Sequence, residues 1–222
     1  MFVPDVYRNH DPARLREEMR RNPLAILAGN GDPVPWLTHL LAIPHPDEGG
    51  AHDAPLPGSV LLGHMNRTNP HWAALTEGST ATLVFLGPHG YVTPTLYETT
   101  PAAPTWDFVT IHVHGTVHPV PAGEPTLDVV RWTVEACERS FGSGWDMGPS
   151  VGYFRSIVPG VGAFRFEVTG ADAMYKLSQE QPADRQDRVA ASFADSGLGS
   201  RRELADLMRV VRDGVDPAGL SR

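Results

Sequence analysis

The chain has 222 residues, 41% of them hydrophobic, and carries 18 lysines and arginines against 26 aspartates and glutamates, a formal net charge of −8. That acidity, without any lysine- or arginine-rich tract, repels phosphate backbones, so no nucleic-acid partner is expected. No apolar run approaches the roughly 20 residues that span a bilayer, and the N-terminus lacks the basic-then-apolar order of a signal peptide. The one cysteine, Cys137, excludes an internal disulfide. The expectation is a cytoplasmic chain with no membrane partner.

Taken in chain order, the first helix is "ARLREEMRRN", with Asp11 as N-cap, Pro12 at its first position and Pro23 as its stop. "LAILAG" and "VPWLTHLLAI" read as a strand pair across "NGDP", and residues 44–58 as a disordered loop rich in Pro, Gly and acid. "SVLLGHMN" is a third strand, and "NPHWAAL" a short helix with Asn69 as cap and Pro70 first. "TATLVFLG" and "GYVTP" form a further pair turning at "GPHG", and "DFVTIHVHGTVHPV" is a long alternating strand. "EPTLDVVRWTVEACERSF" is an amphipathic helix whose apolar stripe takes Leu127, Val130, Val134, Cys137 and Phe141. "GAFRFEVTGADAM" is a strand with Phe164 and Phe166 on one face and Arg165 and Glu167 on the other. Pro182 opens a helix after "MYKLSQEQ"; "SRRELADLMRVV" is the last, with a Ser200–Glu203 capping box, before a frayed "GVDPAGLSR". Six or seven mostly antiparallel strands, with helices before, between and after, lack βαβ alternation. They point to an α+β, mainly β fold: a small closed barrel with peripheral helices. One domain is expected over residues 1–195, with the C-terminal helix and tail at 196–222.

Four stretches carry candidate chemistry. In "GHMNRTNPHW", alternation puts Val60, Leu62, His64 and Asn66 on one strand face. Arg67, Thr68 and Asn69 then lead into a helix N-terminus, which suits a carboxylate or phosphate; a capped helix beside a solvated arginine explains the same residues. In "TIHVHGTVH", His112 and His114 share a face at a metal-ligand spacing, which a merely polar strand face also gives. In "GYVTPTLYETTPAAPTWDF", Tyr97 and Trp106 could flank a flat cofactor while Thr93, Thr95 and Thr105 bond its polar edge; the other reading is a proline-stiffened loop. Lys176 and Gln179 could meet an anion, with Lys176 a proton carrier if partly buried, or stand at the surface. There is no dinucleotide fingerprint, P-loop, nucleophile elbow, paired-cysteine zinc motif or helical His-Glu-x-x-His.

As an ordered set, "GHMNRTNPHW", "FLGPHGYVTPTLY", "PTWDFVTIHVHG" and "MYKLSQEQ", after the opening "MFVPDVY", resemble the PaiB-like proteins, a family of FMN-binding negative transcriptional regulators. The resemblance covers roughly residues 1–195 and implies an FMN-binding split β-barrel with peripheral helices, in a homodimer that holds its cofactor at the subunit interface. More narrowly, "GHMNRTNPHWAAL", "AAPTWDF", "FGSGWDM", "YFRSIVPGVGAFRFEV" and "KLSQEQ" resemble the piperazate synthases of natural-product biosynthesis. These use haem b, not FMN, on the same barrel and close N5-hydroxy-L-ornithine into L-piperazic acid by forming an N–N bond. Asp107 departs from the Asn usual in that "PTWN". The resemblance implies His64 as axial iron ligand, with His112 and His114 in reserve. It gives Arg67, Thr68 and the helix start at Asn69 to the propionates, and Tyr97 and Trp106 to the flat walls. FMN would instead use Arg67 and Lys176 for its phosphate and the threonines for its ring edge. Lys176 and Tyr97 are the candidate proton carriers, and Arg67 or Arg165 the partner of the substrate carboxylate.

Overall fold

A computed structural model describes residues 1–48 and 54–213; the centre of the loop expected over 44–58 and the tail expected to fray from 214 lie outside the described residues. Helix α1 (Pro12–Arg21) starts where Asp11 accepts from the backbone N–H of Ala13 at 3.0 Å, and Pro12 occupies a position whose N–H would have no intrahelical partner. Strands β1 (Leu24–Gly29), β2 (Trp36–Pro44) and β3 (Val60–Asn66) lead to the five-residue α2 (Pro70–Ala74), capped by Asn69. There follow β4 (Ser79–Val92), β5 (Thr105–Pro119), α3 (Glu124–Phe141), α4 (Val151–Ile157), β6 (Val161–Lys176), α5 (Ala183–Ala194) and α6 (Gly199–Asp213). The strands close into a barrel in the order β1-β2-β3-β6-β5-β4, with antiparallel pairing of β1 to β2 and β4, and of β3 to β2 and β6. This is the barrel with peripheral helices that the patterning predicts. None of the described helices is long and apolar enough to cross a membrane.

The chain divides into two compact units. The first holds Glu18–Phe85 and His112–Ala171; the second holds Met1–Glu17, Leu86–Ile111 and Asp172–Arg222.

In the first unit, alternation decides which side chains pack inside. Phe164, Phe166 and Val168 of β6 are buried, while Arg165 and Glu167 between them are exposed. Two glycines make room for the rings. Gly63 pairs with Phe164, and a Cβ there would sit 2.5 Å from that ring. A Cβ at Gly115 would meet the Phe166 ring at 2.5 Å and the Glu167 carbonyl oxygen at 2.2 Å. On the opposite faces of β3 and β6, Leu62 and Ala163 pack with Ile43 and with Val129 of α3, flanked by Trp132 and Ala136.

The stripe of α3 therefore differs from the one the sequence predicts. Leu127 is buried, but Val130, Val134 and Cys137 are half-buried and Phe141 is exposed. The helix is rotated so that the broad Trp132 ring meets the barrel, burying more apolar area than the thiol would. Burial still pushes the Cys137 pKa up, which keeps the group a thiol. Helix α4 was not predicted at all. Its seven residues lie between Gly- and Pro-rich turns, and Arg155 ties it to α3 through a 2.8 Å bond to Glu124.

In the second unit, "GPHG" does not turn; β4 runs straight through it. The Ser200 hydroxyl donates to the His89 carbonyl at 3.0 Å and accepts from the His89 N–H at 2.8 Å, holding the strand extended. Gly90 lets Phe193 of α5 and Arg201 of α6 approach to 3.1 and 3.2 Å of where a Cβ would stand. The same bonds correct the capping box: Ser200 is the second residue of α6, and its side chain serves β4. Helices α5 and α6 pack together and bury Val189, Phe193, Leu204 and Met208.

The glycine packing has a direct test. Gly115→Ala is expected to cost roughly 1–3 kcal/mol in denaturant unfolding, because the atom it meets is backbone and cannot rotate away. Gly170→Ala, with nothing within 4 Å, is the control and is expected to stay within about 0.5 kcal/mol of the parent. Equal losses at both positions would refute the packing argument.

Candidate functional site

The expected site residues fall in both units, and each group is described within its own. In the first unit His64 pairs with Ala163 on the outward face of β3, in line with Val60 and Leu62, as alternation predicts. It is half-buried, and its Nδ1 is buried without a hydrogen-bond partner among the described residues. Burial lowers its pKa, so the ring is a neutral imidazole at pH 7.

The loop after it is internally satisfied. Asn66 Oδ1 accepts from both the N–H and the hydroxyl of Thr68 at 2.8 Å. Arg67 N–H donates to the Gly160 carbonyl at 2.9 Å, and Asn69 Oδ1 accepts from His71 N–H at 3.0 Å. The backbone donors predicted to face an anion are thus engaged by protein acceptors, one of them on the Val158–Gly160 turn, which leaves the exposed Arg67 guanidinium to meet one. Trp72 packs on Gly162, where a Cβ would sit 2.4 Å from its ring.

His71 was not singled out by sequence. It is fully buried, stacks on Trp36 at 5.9 Å, and bonds Thr38 Oγ1 through Nδ1 at 2.8 Å; Asn69 Nδ2 donates to that same hydroxyl at 3.2 Å. The only available signal was its place inside the "GHMNRTNPHW" run.

His114 bonds Thr82 Oγ1 at 3.1 Å, and His112 lies on the same half-buried face. Among the described residues no group of three His, Cys, Asp or Glu side chains could hold a metal ion. A cavity of about 760 Å³ opens in this unit between the outward faces of β3 and β6 and helix α3. Val60, Leu62 and Trp132 are among its walls, with Arg165, Glu167 and His118. His118 Nδ1 bonds the Glu77 carboxylate, while Nε2 lies 3.1 Å from Thr116 Oγ1 and 3.5 Å from Glu167 Oε2. These residues come from separate segments, and no spacing in the chain links them.

In the second unit Lys176 donates to Thr105 Oγ1. Gln179 is consumed locally: its Oε1 accepts from Leu177 N–H at 2.6 Å and its Nε2 donates to the Tyr175 carbonyl at 2.5 Å. These bonds brace Ser178, a buried non-glycine residue at φ 58°. Ser178 Oγ donates to Asp107 Oδ2 at 2.6 Å, while Asp107 Oδ1 is buried with no partner among the described residues. Burial, with the negative charge of Glu180 adding to it, pushes the Asp107 pKa up to about 6.

Tyr97 is buried under the Arg185 guanidinium at 5.9 Å; burial first, then Asp107 and Glu180, raise its pKa, so its hydroxyl keeps its proton. Trp106 is the exposed ring, stacked on His89 at 5.8 Å with Tyr91 at 6.0 Å. Thr93 caps the short 3-10 helix Pro94–Tyr97 and shares a 3.0 Å bond with Thr95.

The model of the family described as "Putative FMN-binding domain" matches residues 1–170. Protein AN0679 of Emericella nidulans is 26% identical, covering 94% of this chain and 96% of its own length. The Bacillus subtilis protease synthase and sporulation protein PAI 2 is 21% identical with the same coverage, 94% and 96%. Among solved structures, the FAD and Heme binding protein from Mycobacterium smegmatis shares the fold at a TM-score of 0.54 and 18% identity, over 83% of this chain and 80% of that one.

The buried Asp107 carboxyl makes stability depend on pH. Its folded pKa of about 6 stands above the ordinary 3.8, so the fold loses stability as pH rises from about 3.8 to 6 and carries the full ionisation penalty above that. Asp107→Asn removes the penalty. The variant is expected to be more stable than the parent by roughly 2–3 kcal/mol at pH 7 and to lose that advantage near pH 4. Urea unfolding across this range decides it; a difference that is flat with pH would mean the carboxyl is not held in its acid form.

Proposed function

We propose a specific activity for this chain, which belongs to that FMN-binding domain family: haem-dependent cyclisation of N5-hydroxy-L-ornithine to L-piperazic acid. The observation that carries it is His64, an imidazole kept neutral by burial and lacking a partner at Nδ1, on the outward face of a rigid strand. An axial iron ligand must be neutral and not already bonded; flavin binding asks for no imidazole. The residues present therefore fit haem b, with His64 as ligand and the exposed Arg67 for a propionate or the substrate carboxylate. The ordered motifs of the piperazate synthases, from "GHMNRTNPHWAAL" to "KLSQEQ", support the same reading.

Bound haem supplies Lewis-acid and redox chemistry at the N–O bond. The balance is simple. The α-nitrogen bonds N5, the N5–O bond breaks, and the oxygen leaves as water after taking up a proton, while the α-nitrogen gives one up. No outside oxidant or reductant is consumed. The chain's part is to hold the two nitrogens in near-attack geometry and to fix the substrate carboxylate on a guanidinium.

A second reading is favoured by the family's own description: an FMN-binding PaiB-like protein, regulator or flavin oxidoreductase, without haem. A homodimer goes with either.

The visible spectrum of the purified protein separates them. A Soret band that shifts on dithionite reduction is expected, and His64→Ala is expected to abolish it. Twin flavin bands, or a colourless protein after haem supplementation, would remove the haem reading. Haem-loaded protein is further expected to convert N5-hydroxy-L-ornithine to a product lighter by one water; substrate left untouched defeats the cyclase.

A further inference from the structure

In the first unit His71 holds a hydrogen-bond donor that none of the described residues accepts. Asn69 Oδ1 is committed to the His71 backbone N–H, so Nδ2 is the donor end of that amide, and it bonds Thr38 Oγ1 at 3.2 Å. With its oxygen accepting there, the Thr38 hydroxyl gives its own proton to His71 Nδ1, 2.8 Å away. Burial keeps the ring neutral, so its one N–H is at Nε2. That atom is buried without a partner, a costly condition for a polar group. It stands over Gly29, where a Cβ would sit 2.9 Å from it, so the missing side chain leaves space beside the donor.

Two cavities meet at this point. One, of about 260 Å³, is walled by the Trp36 indole, which stacks on His71, and by Ala74 and Leu75. The other, of about 490 Å³, carries Thr80, Thr82, Thr116 and Thr169. They share Gly29, Asn30 and Thr80. Among the described residues neither is lined by Lys, Arg, Asp or Glu, although such residues make up 20% of the chain.

We infer that the paired cavities form a site for an uncharged nucleoside: the base lies at the Trp36 end with a carbonyl accepting from His71 Nε2, and the sugar hydroxyls lie among the threonines. The lining decides the class. An ionic ligand finds no counter-charge there. A purely apolar ligand would leave the imidazole N–H unpaired and strip the threonine hydroxyls of water. A free sugar would leave the apolar end unfilled. A flat ring that bears a carbonyl and is joined to a polyol matches both ends, because hydroxyls both give and accept hydrogen bonds. Together the two volumes fall within the ordinary range for small-molecule sites. Neither His64 nor Arg67 lines either cavity, so the inference stands apart from the proposed cyclase.

The test titrates the full chain with uridine, ribose and uridine 5′-monophosphate in a calorimeter. Uridine is expected to bind, ribose more weakly, and the monophosphate no more tightly than uridine. His71→Phe keeps a ring beside Trp36 and removes the donor; it is expected to weaken uridine about tenfold. Thr80→Val, at an exposed position, is expected to weaken uridine severalfold and to leave the fold intact, so it decides the matter if His71→Phe does not fold.

No binding of uridine overturns the inference, since an ordered water then suffices for the His71 donor. Uridine affinity indifferent to the substitutions also overturns it. So does a monophosphate that binds more tightly than uridine, because that requires a cation the lining lacks. The haem content of the protein leaves each of these outcomes readable, and a failed cyclase assay leaves this site untouched.

Discussion

Phe164 and Phe166 fill the six-stranded barrel because Gly63 and Gly115 stand where any side chain would collide with them. A barrel of this strand number has an interior narrow enough for side chains alone to occupy. With those rings turned inward, the candidate groups of β3 and β6 stand on the outward faces. On β3 and β6 those faces hold His64 and Arg165 beside the Leu62–Ala163 patch that α3 covers. Trp132 then does two things at once, packing α3 against the barrel and walling the cavity. The rotation of α3 away from its predicted stripe is the same fact seen from the helix.

Burial sorts the titratable groups in one direction. The imidazoles of His64 and His71 are pushed toward deprotonation, and the Asp107 carboxyl and Tyr97 phenol toward protonation. Each shift favours the neutral form, as desolvation demands. At pH 7 the two imidazoles and the phenol are neutral, whereas Asp107, with its pKa at about 6, is mostly ionised and bears the desolvation cost. A neutral imidazole can ligate iron, and a phenol that keeps its proton can donate it. Asp107 is the costly member of the set, because one oxygen has no donor among the described residues. An Asn at that place would not need to hold a proton.

Local signals were legible in the sequence where local physics sets the structure. The Asp11 and Asn69 caps, the Pro12 and Pro70 helix starts, and the Phe164/Arg165 alternation all depend on neighbours within a few residues. The failures lie where a distant partner decides. "GPHG" carries turn residues, yet β4 stays extended because Ser200 bonds His89 from 111 positions away. Ser178 bonds Asp107 across 71 positions and holds a left-handed backbone that no composition rule predicts for serine. The shared face of Val60, Leu62 and His64 followed from alternation alone, whereas the cavity joins Glu77, His118, Trp132 and Arg165 from four segments. Pairwise distance in the fold, not any feature of the individual residues, hid that cavity.

The loop "GHMNRTNPHW" shows how a functional position separates from its scaffold. Asn66 spends its side-chain oxygen on Thr68, and Asn69 caps α2 while bonding Thr38, which also bonds His71. Trp72 rests on Gly162. Each of these residues is held by at least one neighbour, so the loop has little freedom to rearrange around a ligand. Against that fixed background, and apart from the fully buried His71 Nε2, two groups of this run are left over among the described residues: the His64 ring and the Arg67 guanidinium. A rigid frame that leaves one neutral imidazole and one cation unbonded loses little conformational entropy when both find partners. The haem of the proposed function would offer both partners at once, an iron for the first and a carboxylate for the second.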